Sequence, residues 1–146
     1  MFEVEDTSVI SGIAWATLPA LELQDAYGNR ISSGSDASAQ VSIALTAGNG
    51  TLVGTTTGIA ASAGRITLRS GSIKMAELGA GKQLTFTAST SQGAISATTS
   101  SFEVKHGPAT KLVFTRQAVG TNSVTPFTQM PRVEIQDQFG NVVTTG

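Results

Sequence analysis

One segment of this chain occurs twice at a fixed separation. Residues 18–29, LPALELQDAYGN, recur as residues 130–141, MPRVEIQDQFGN, at an offset of 112 residues. The same offset continues without a gap until Gly34 pairs with Gly146. Self-similarity at a fixed period is the signature of repeat architectures. The chain therefore holds one period of 112 residues and 34 residues of the next, and we interpret it as part of a tandem array.

A second register is open at the N-terminus. The 112-residue offset pairs Phe2 with Phe114, but residues 2–5, FEVE, also resemble residues 102–105, FEVK. In that alternative the N-terminus would be the last strand of a preceding unit. The gapless match is longer and is preferred, and the register of the first ten residues stays open.

Apolar and polar residues alternate between the turns of this chain, as they do in strands with one buried and one wet face. Ser and Thr account for 16 and 20 of the 146 residues. β-Branched residues such as Thr and Val fit a pleated strand better than a helix. Seven or eight short strands in about 100 residues predict an all-β protein, an antiparallel β-sandwich. The predicted core consists of Leu21, Leu23, Val41, Ile43, Leu45, Ile66, Leu68, Leu84, Phe86 and Phe102.

Short glycine-containing segments mark the predicted turns. These segments are residues 25–29, 48–50, 63–64 and 79–81. Asn49-Gly50 is a strong hairpin signal, and we prefer that interpretation to the glycosylation sequon of residues 49–51. Residues 73–78 suggest a short helical turn that Gly79 would end.

Gly107-Pro108 marks the predicted boundary between two units. Proline cannot donate to a β-ladder, and the preceding glycine permits a sharp change of direction. Residues 111–115, KLVFT, then begin a new alternating run. We therefore predict one complete domain, residues 1–107, and the first strands of a truncated second one, residues 108–146.

Composition and charge exclude several classes of protein. The net charge of −1 is unsuited to binding nucleic acid, which needs clustered Lys and Arg. The absence of cysteine excludes a disulfide scaffold and a thiolate metal site. The most apolar stretch, residues 9–21, is too short and too mixed to span a bilayer. Three acidic residues precede it where a signal peptide carries positive charge, so we expect neither a membrane span nor a signal in this segment.

Five segments carry a family resemblance through their order and spacing. They are LELQDAYGN and VEIQDQFGN, then ALTAGNGTLVGTTT, LTFTASTSQGAISATTSSFEV and GPATKLVFT. In this order the chain resembles the bacterial immunoglobulin-like (Big or invasin-like) tandem repeats of large surface and extracellular proteins. The resemblance implies an immunoglobulin-like antiparallel β-sandwich, one full repeat plus the start of a second. It also implies a stalk, adhesin or fibre, and not an enzyme.

His106 is the only histidine and therefore the first candidate for a catalytic or metal-binding residue. A general base or a metal ligand needs partner residues that the fold places beside it. His106 adjoins the predicted joint at Gly107-Pro108, so we expect an exposed joint residue. No motif for nucleophilic catalysis is present, and we predict no catalytic, cofactor-binding or metal-binding residues.

The recurring pairs Asp25/Asn29 and Asp137/Asn141 offer oxygen ligands of the kind that calcium prefers. A calcium site needs six to eight oxygens, and the additional candidates are Asp6, Asp36 and Glu103. The preferred alternative is that Asp25 caps its turn through backbone hydrogen bonds while Gly28 and Asn29 adopt positive φ. Tyr27 and Phe139 would then pack each turn against the sandwich. A structural calcium ion is the weaker alternative.

Two further motifs have a structural and a functional interpretation. The glycine-rich segments lack the Lys-Ser/Thr and helix that a phosphate-binding loop requires. Trp15 would be a ligand-stacking aromatic in a carbohydrate-binding module, but its repeat partner is Phe127. A recurring large apolar residue in the first strand is more typical of a core, so we expect Trp15 to be buried.

Two functions from different classes are consistent with these features. The first is a non-catalytic structural repeat, a spacer or stalk in a long extracellular surface protein, adhesin or filament. Its partners would be adjacent repeats or copies of itself. The alternative is a module that binds a glycan or a host protein, which a row of exposed aromatics on one face would favour. An immunoglobulin-like decoration of a phage virion is a third interpretation.

The C-terminal segment, residues 112–146, repeats only the first two strands of the unit. Val133 and Ile135 correspond to Leu21 and Leu23, so they need an apolar partner that this segment does not contain. Two strands are marginally stable at best in water. We therefore expect this segment to be disordered alone, to pair with another molecule, or to continue in a longer natural chain.

Overall fold

The computed structural model describes residues 8–15, 20–69, 71–120 and 122–144. The chain divides into two compact units, Met1–Lys105 (unit 1) and His106–Gly146 (unit 2). The predicted domains, residues 1–107 and 108–146, remain a prediction, as does their status as independent folding units. Among the described residues, no helix has the length and apolar character needed to cross a membrane.

Apart from one 3₁₀ turn, every regular element of the described residues is a β-strand, which confirms the all-β prediction. One 3₁₀ turn, Ser35–Ser38, interrupts this pattern and was not predicted. Unit 1 contains the strands β1 (Ser8–Ile10), β2 (Leu21–Glu22), β3 (Gln40–Ala47), β4 (Leu52–Gly54), β5 (Ile59–Ala60), β6 (Arg65–Ile66), β7 (Ile73–Met75), β8 (Gly79–Thr90), β9 (Gly93–Thr98) and β10 (Phe102–Lys105). Unit 2 contains β11 (Lys111–Arg116) and β12 (Arg132–Gln136).

The largest sheet of unit 1 has the strand order β1-β10-β8-β3-β5, and β9 also pairs with β8. β1 is parallel to β10, whereas the other pairs are antiparallel. Two smaller antiparallel pairs, β2–β6 and β4–β7, complete the described sheets of this unit. The predicted closing hairpin is β8–β9, with Thr90 opposite Gly93.

The core of unit 1 follows from the alternation along its strands. In β8, Leu84, Phe86 and Ala88 are buried while the threonines between them are half-buried on the other side. Nine of the ten predicted core residues are buried, and the tenth, Leu45, is half-buried and packs against the cluster. Trp15 is also buried, as predicted, and packs edge-on against Phe102 with ring centroids 5.0 Å apart.

Three local predictions are wrong. Asn49-Gly50 does not close a hairpin, because β3 pairs with β5 and β8 whereas β4 pairs with β7. Residues 73–78 do not form a helical turn, since Ile73 and Met75 are the buried residues of strand β7. Residues 79–81 do not form a turn but begin β8, at a register shift in its pairing with β10. Glycine within a strand often marks such an irregularity.

Gly64 lies at the predicted turn of residues 63–64, and the fold requires glycine there. Its φ is +74°, and a Cβ atom at this position would lie 2.1 Å from the carbonyl oxygen of Ile31. Its carbonyl accepts the N–H of Leu23 at 2.7 Å, and its own N–H donates to Ala37 O at 2.8 Å. The residue therefore joins the segment after β2 to the 3₁₀ turn, and it lies too close to the backbone of Ile31 to carry a side chain.

We expect Gly64→Ala to lower the free energy of unfolding of unit 1 by more than about 2 kcal/mol, because steric overlap adds to the backbone strain. Gly58→Ala is the matched control, since Gly58 also has positive φ, +67°, but a Cβ atom added there would meet nothing within 4 Å. That control should lose about 1–2 kcal/mol. Chemical denaturation followed by circular dichroism measures both, and equal losses would contradict the close approach.

Unit 2 is built on one antiparallel pair, β11–β12. Leu112 lies opposite Ile135, and Phe114 lies opposite Val133, so these four side chains share one face of the pair. All four are exposed, at 75% for Leu112 and 57% for Phe114. Val133 and Ile135 are thus exposed, whereas their repeat partners in unit 1, Leu21 and Leu23, are buried.

Candidate functional site

Two loops with the pattern Asp-x-aromatic-Gly-Asn follow β2 and β12. In the first, Oδ1 of Asp25 accepts the backbone N–H groups of Tyr27 and Asn29, each at 2.9 Å. The side-chain amide of Asn29 donates to Oδ2 at 3.1 Å. Gly28 has φ +84°, whereas Asn29 does not adopt positive φ. The predicted capping role of Asp25 is confirmed, and the predicted conformation of Asn29 is wrong.

The second loop repeats these bonds and adds one more. Oδ1 of Asp137 accepts the N–H groups of Phe139 and Asn141 at 2.9 Å, and the Asn141 amide donates to Oδ2 at 2.9 Å. The backbone N–H of Gly107 also donates to Oδ2, at 2.8 Å. Asp137 is completely buried, whereas Asp25 is exposed. The carboxylate of Asp137 therefore connects the loop to the segment that precedes β11.

The two carboxylates differ in their electrostatic setting. Burial raises the pKa of Asp137, but hydrogen bonds from Asn141, Gly107 and Phe139 outweigh it and hold that pKa well below its usual value. The pKa of Asp25 is also lowered, chiefly by the backbone and side-chain hydrogen bonds of Asn29 and the backbone N–H of Tyr27. Both groups are thus stabilised as charged carboxylates, and this form accepts the backbone N–H groups of the loop.

The recurring aromatics of these loops do not pack as predicted. Tyr27 is 90% exposed, and Phe139 is 47% exposed. The turn is held by the backbone bonds to Asp25 and Asp137, which leave the intervening side chain directed to solvent. The prediction that these aromatics pack each turn against the sandwich is wrong.

His106 is not the exposed joint residue that we predicted. Its side chain is half-buried, with Nδ1 2.9 Å from the carbonyl oxygen of Gly107. The N–H of Thr144 donates to Nε2 at 3.3 Å. Both nitrogens thus contact backbone groups of unit 2.

The candidate calcium ligands have other contacts. Both oxygens of Asp36 bind Ser91, through its backbone N–H at 2.8 Å and its hydroxyl at 2.7 Å. Glu103 lies 3.5 Å from the ammonium of Lys105. Asp6 lies outside the described residues. Within the part of the chain that the structure describes, no three His, Cys, Asp or Glu side chains form a group suited to a metal ion.

Lys82 is a buried cation that the sequence patterns did not predict. It is 1% exposed, and its Nζ donates to the backbone carbonyl of Asn49. Thr51, on the same loop as Asn49, donates its backbone N–H to Glu77 at 2.8 Å. That bond, with a smaller contribution from Lys82, lowers the pKa of Glu77, although desolvation opposes the shift. Lys82 and Glu77 together hold the loop of residues 48–51. The sequence signal for Lys82 is that it falls in phase with the buried residues of β8.

Comparison with known proteins identifies no relative of this chain. No family model matches it, and neither the curated proteins nor the solved structures include a significant match.

Proposed function

We propose that this chain is a non-catalytic structural repeat, a spacer of a long extracellular surface protein, adhesin or filament. The hydrogen bond from Gly107 to Asp137 carries the proposal. It connects the segment before a repeat to the recurring loop within that repeat, through a buried carboxylate. Both residues belong to unit 2, so the bond orders the segment that leads into the repeat, and a stiff spacer needs an ordered lead-in.

The strand arrangement of unit 1 supports an immunoglobulin-like sandwich, in line with the resemblance to the bacterial immunoglobulin-like repeats. β1 is parallel to the last strand of the unit, β10, and β8–β9 form a long hairpin in the same sheet. The β2–β6 pair contributes Leu21 and Ile66 to the same core as β8. Buried side chains thus come from both sets of strands, as a two-layer arrangement requires.

Composition supports an extracellular setting. The chain is rich in Ser and Thr and has 13% charged residues, a composition suited to an exposed surface outside the cell. The titratable side chains considered as catalytic or metal-binding groups, His106 and Asp137, contact backbone groups of their own unit. These contacts support a structural rather than a catalytic role.

A chain that is lengthened at its C-terminus, in the 112-residue register of the repeat, tests the proposal. Gly34 and Gly146 are equivalent, so residues 35–105 placed after Gly146 supply unit 2 with the strands that complete unit 1. We expect the amides of β12 to gain roughly 100-fold or more protection from hydrogen exchange. Small-angle X-ray scattering should show an elongated particle whose length grows with each added unit.

The control for this experiment carries a permuted segment of the same composition after Gly146. If both extensions leave the amides of β12 equally unprotected, unit 2 is not the beginning of a second repeat. If the amides of β12 are protected but the particle is compact, unit 2 is the beginning of a second repeat and the array is not a spacer.

The exposure of Tyr27 favours the second candidate function, a ligand-binding module. A ring that is 90% exposed at a loop tip is a feature of recognition surfaces. Tyr27→Ala should abolish retention on a glycan or host-cell surface if this function holds, and Tyr27→Phe should retain most of it. Unchanged retention in Tyr27→Ala would exclude this loop as the binding site.

A further inference from the structure

The loop that connects β3 to β4 presents an asparagine and a glycine side by side at the surface, Asn49 and Gly50. The backbone is held on both sides of this pair. Nζ of Lys82 donates to the carbonyl of Asn49, and Glu77 accepts the N–H of Thr51 at 2.8 Å. Among the described residues, neither the side-chain amide of Asn49 nor the backbone N–H of Gly50 takes part in a hydrogen bond. These two groups therefore remain available to each other in a loop whose backbone is fixed.

The other three asparagines of the chain lack this combination. Asn29, Asn122 and Asn141 each use their side-chain carboxamide in a hydrogen bond. Each of them is also followed by a residue with a side chain, whereas Asn49 is followed by glycine. Asn49 thus differs from them both in its contacts and in its neighbour.

A carboxamide and a backbone N–H placed in this way can react with each other. The backbone nitrogen of Gly50 attacks Cγ of Asn49, so a new C–N bond forms and the bond from Cγ to Nδ2 breaks. Nδ2 leaves as ammonia, with the proton that Gly50 has lost, and a five-membered succinimide remains. Water then opens either carbonyl of this ring, which gives aspartate or isoaspartate. The chain loses one ammonia and gains one water, and no oxidant or reductant is needed.

Lys82 is placed to promote the ring closure. Gly50 attacks through its deprotonated nitrogen, and amide resonance places much of the negative charge on the carbonyl oxygen of Asn49. The ammonium of Lys82 donates to this same oxygen and is 1% exposed, so solvent screens it little. A donor that is already in place where negative charge develops lowers the barrier. The carboxylate of Glu77 has the opposite effect, but it is bonded to Thr51 and not to this oxygen, and the interaction of charges weakens with distance.

The geometry of the loop explains why glycine follows Asn49. Gly50 has φ +135°, a conformation that residues with a side chain rarely adopt. A Cβ atom at this position would lie 3.0 Å from Oε2 of Glu77 and 3.3 Å from Nζ of Lys82. The contacts of the two charged groups therefore require glycine, and glycine in turn leaves its nitrogen unobstructed for attack on the preceding side chain.

We propose that Asn49 is a site of self-modification, at which unit 1 converts asparagine to aspartate or isoaspartate through a succinimide. Lys82 promotes the reaction, and Gly50 provides the attacking nitrogen. Either product places a carboxylate beside the buried ammonium of Lys82. Isoaspartate also adds one carbon to the main chain between β3 and β4. This modification goes beyond the proposed spacer function and does not depend on it.

Peptide mapping of the folded full chain tests the proposal. Trypsin releases residues 31–65 as one peptide, and Asn49 is its only asparagine. After incubation at neutral pH, mass spectrometry should show the conversion of Asn49 to be roughly tenfold or more faster than that of Asn122. A sample digested without incubation corrects for conversion during handling. Isoaspartate should be among the products, because it forms only through the ring. A rate at Asn49 no higher than at Asn122, or a product without isoaspartate, would overturn the proposal.

Asn49→Gln is the control for the assignment. It keeps a carboxamide at the same position, but ring closure would need a six-membered ring and is much slower. The peptide of residues 31–65 should then keep its mass over the same incubation. A mass change that persists in this variant would place the reaction at another residue and reject Asn49.

The unfolded chain shows whether the fold promotes the reaction. In concentrated guanidinium chloride Lys82 is no longer held at the carbonyl of Asn49, and the dipeptide reacts according to its sequence alone. We expect the folded chain to convert Asn49 several-fold faster than the unfolded chain. A slower reaction in the folded chain would mean that the loop protects Asn49, and the proposal would be rejected.

Lys82→Met separates the charge from the packing of this lysine. Methionine keeps an unbranched apolar stem beside Gly48 but has no ammonium. In the folded variant the conversion of Asn49 should fall roughly tenfold, whereas in guanidinium chloride it should equal that of the natural sequence. Lys74→Met, which removes an exposed lysine of β7, is the matched control and should leave the rate unchanged.

Circular dichroism verifies that both methionine variants are folded. Equal rates in folded Lys82→Met and the natural sequence would show that the ammonium does not promote the reaction. If Lys82→Met does not fold, the comparison of the folded and unfolded natural chain decides the question.

Discussion

Replacing Phe86 with alanine should lower the free energy of unfolding of unit 1 by about 3–5 kcal/mol, the usual cost of truncating a buried aromatic. Phe86 is 3% exposed, lies opposite Ile43 in β3 and Ala97 in β9, and forms part of the main apolar cluster. Such a loss approaches the whole stability of a domain of this size. Urea denaturation of the purified chain measures it.

Thr87→Ala is the control for Phe86→Ala, because it changes the next residue of the same strand. Thr87 is half-buried on the opposite face of β8, between Ser42 and Ser96. We expect a loss below about 1 kcal/mol, as for most substitutions away from a core. The reverse order of the two losses would mean that β8 is shifted by one residue, since such a shift exchanges the two faces.

The core and the fold class could be predicted because they follow from a local pattern. Alternation along β8 identified Leu84 and Phe86 as buried, and the structure agrees. The pattern does not tell which strands pair, and the hairpin predicted at Asn49-Gly50 was wrong for this reason. The residues after β3 connect two different sheet pairs and are held by Lys82, which lies 33 residues away in sequence. Contacts of this range have no local signal.

Short apolar segments were the other source of error. Ile73, Lys74 and Met75 have the alternation of a strand, but three residues are too few to separate strand from helix by period. Pairing of Ile73 with Gly54 and Met75 with Leu52 decides the outcome, and that pairing depends on tertiary structure.

The candidate site was predicted in part. The recurring Asp-x-aromatic-Gly-Asn pattern identified Asp25 as a cap, because a short acidic side chain reaches backbone N–H groups two to four residues ahead. The contact from Gly107 to Asp137 spans 30 residues and was missed. The recurring aromatics Tyr27 and Phe139 suggested packing against the sandwich, but the backbone hydrogen bonds of each loop leave them exposed.

Asp137 and Asp25 are equivalent carboxylates that differ mainly in the bond from Gly107, so their alanine variants should differ in effect. Asp137→Ala leaves the buried N–H of Gly107 without an acceptor, which costs about 1–3 kcal/mol for that group alone. Asp25→Ala should give a clearly smaller loss, since water replaces an exposed acceptor. Hydrogen exchange at Gly107 and along β11 and β12 measures the first variant, and urea denaturation of unit 1 measures the second.

The pH dependence of unit 2 gives an independent measure of the same carboxylate. The pKa of Asp137 is lowered in the folded state, so the stability it contributes is complete above the unfolded pKa of about 3.9. That contribution is lost as the pH falls from there through the folded pKa. Asp137→Asn keeps an oxygen acceptor for Gly107 but does not titrate, so its protection should change much less between pH 5 and pH 2. If wild type and Asp137→Asn lose protection in parallel, the carboxylate is not the group that secures the segment before β11.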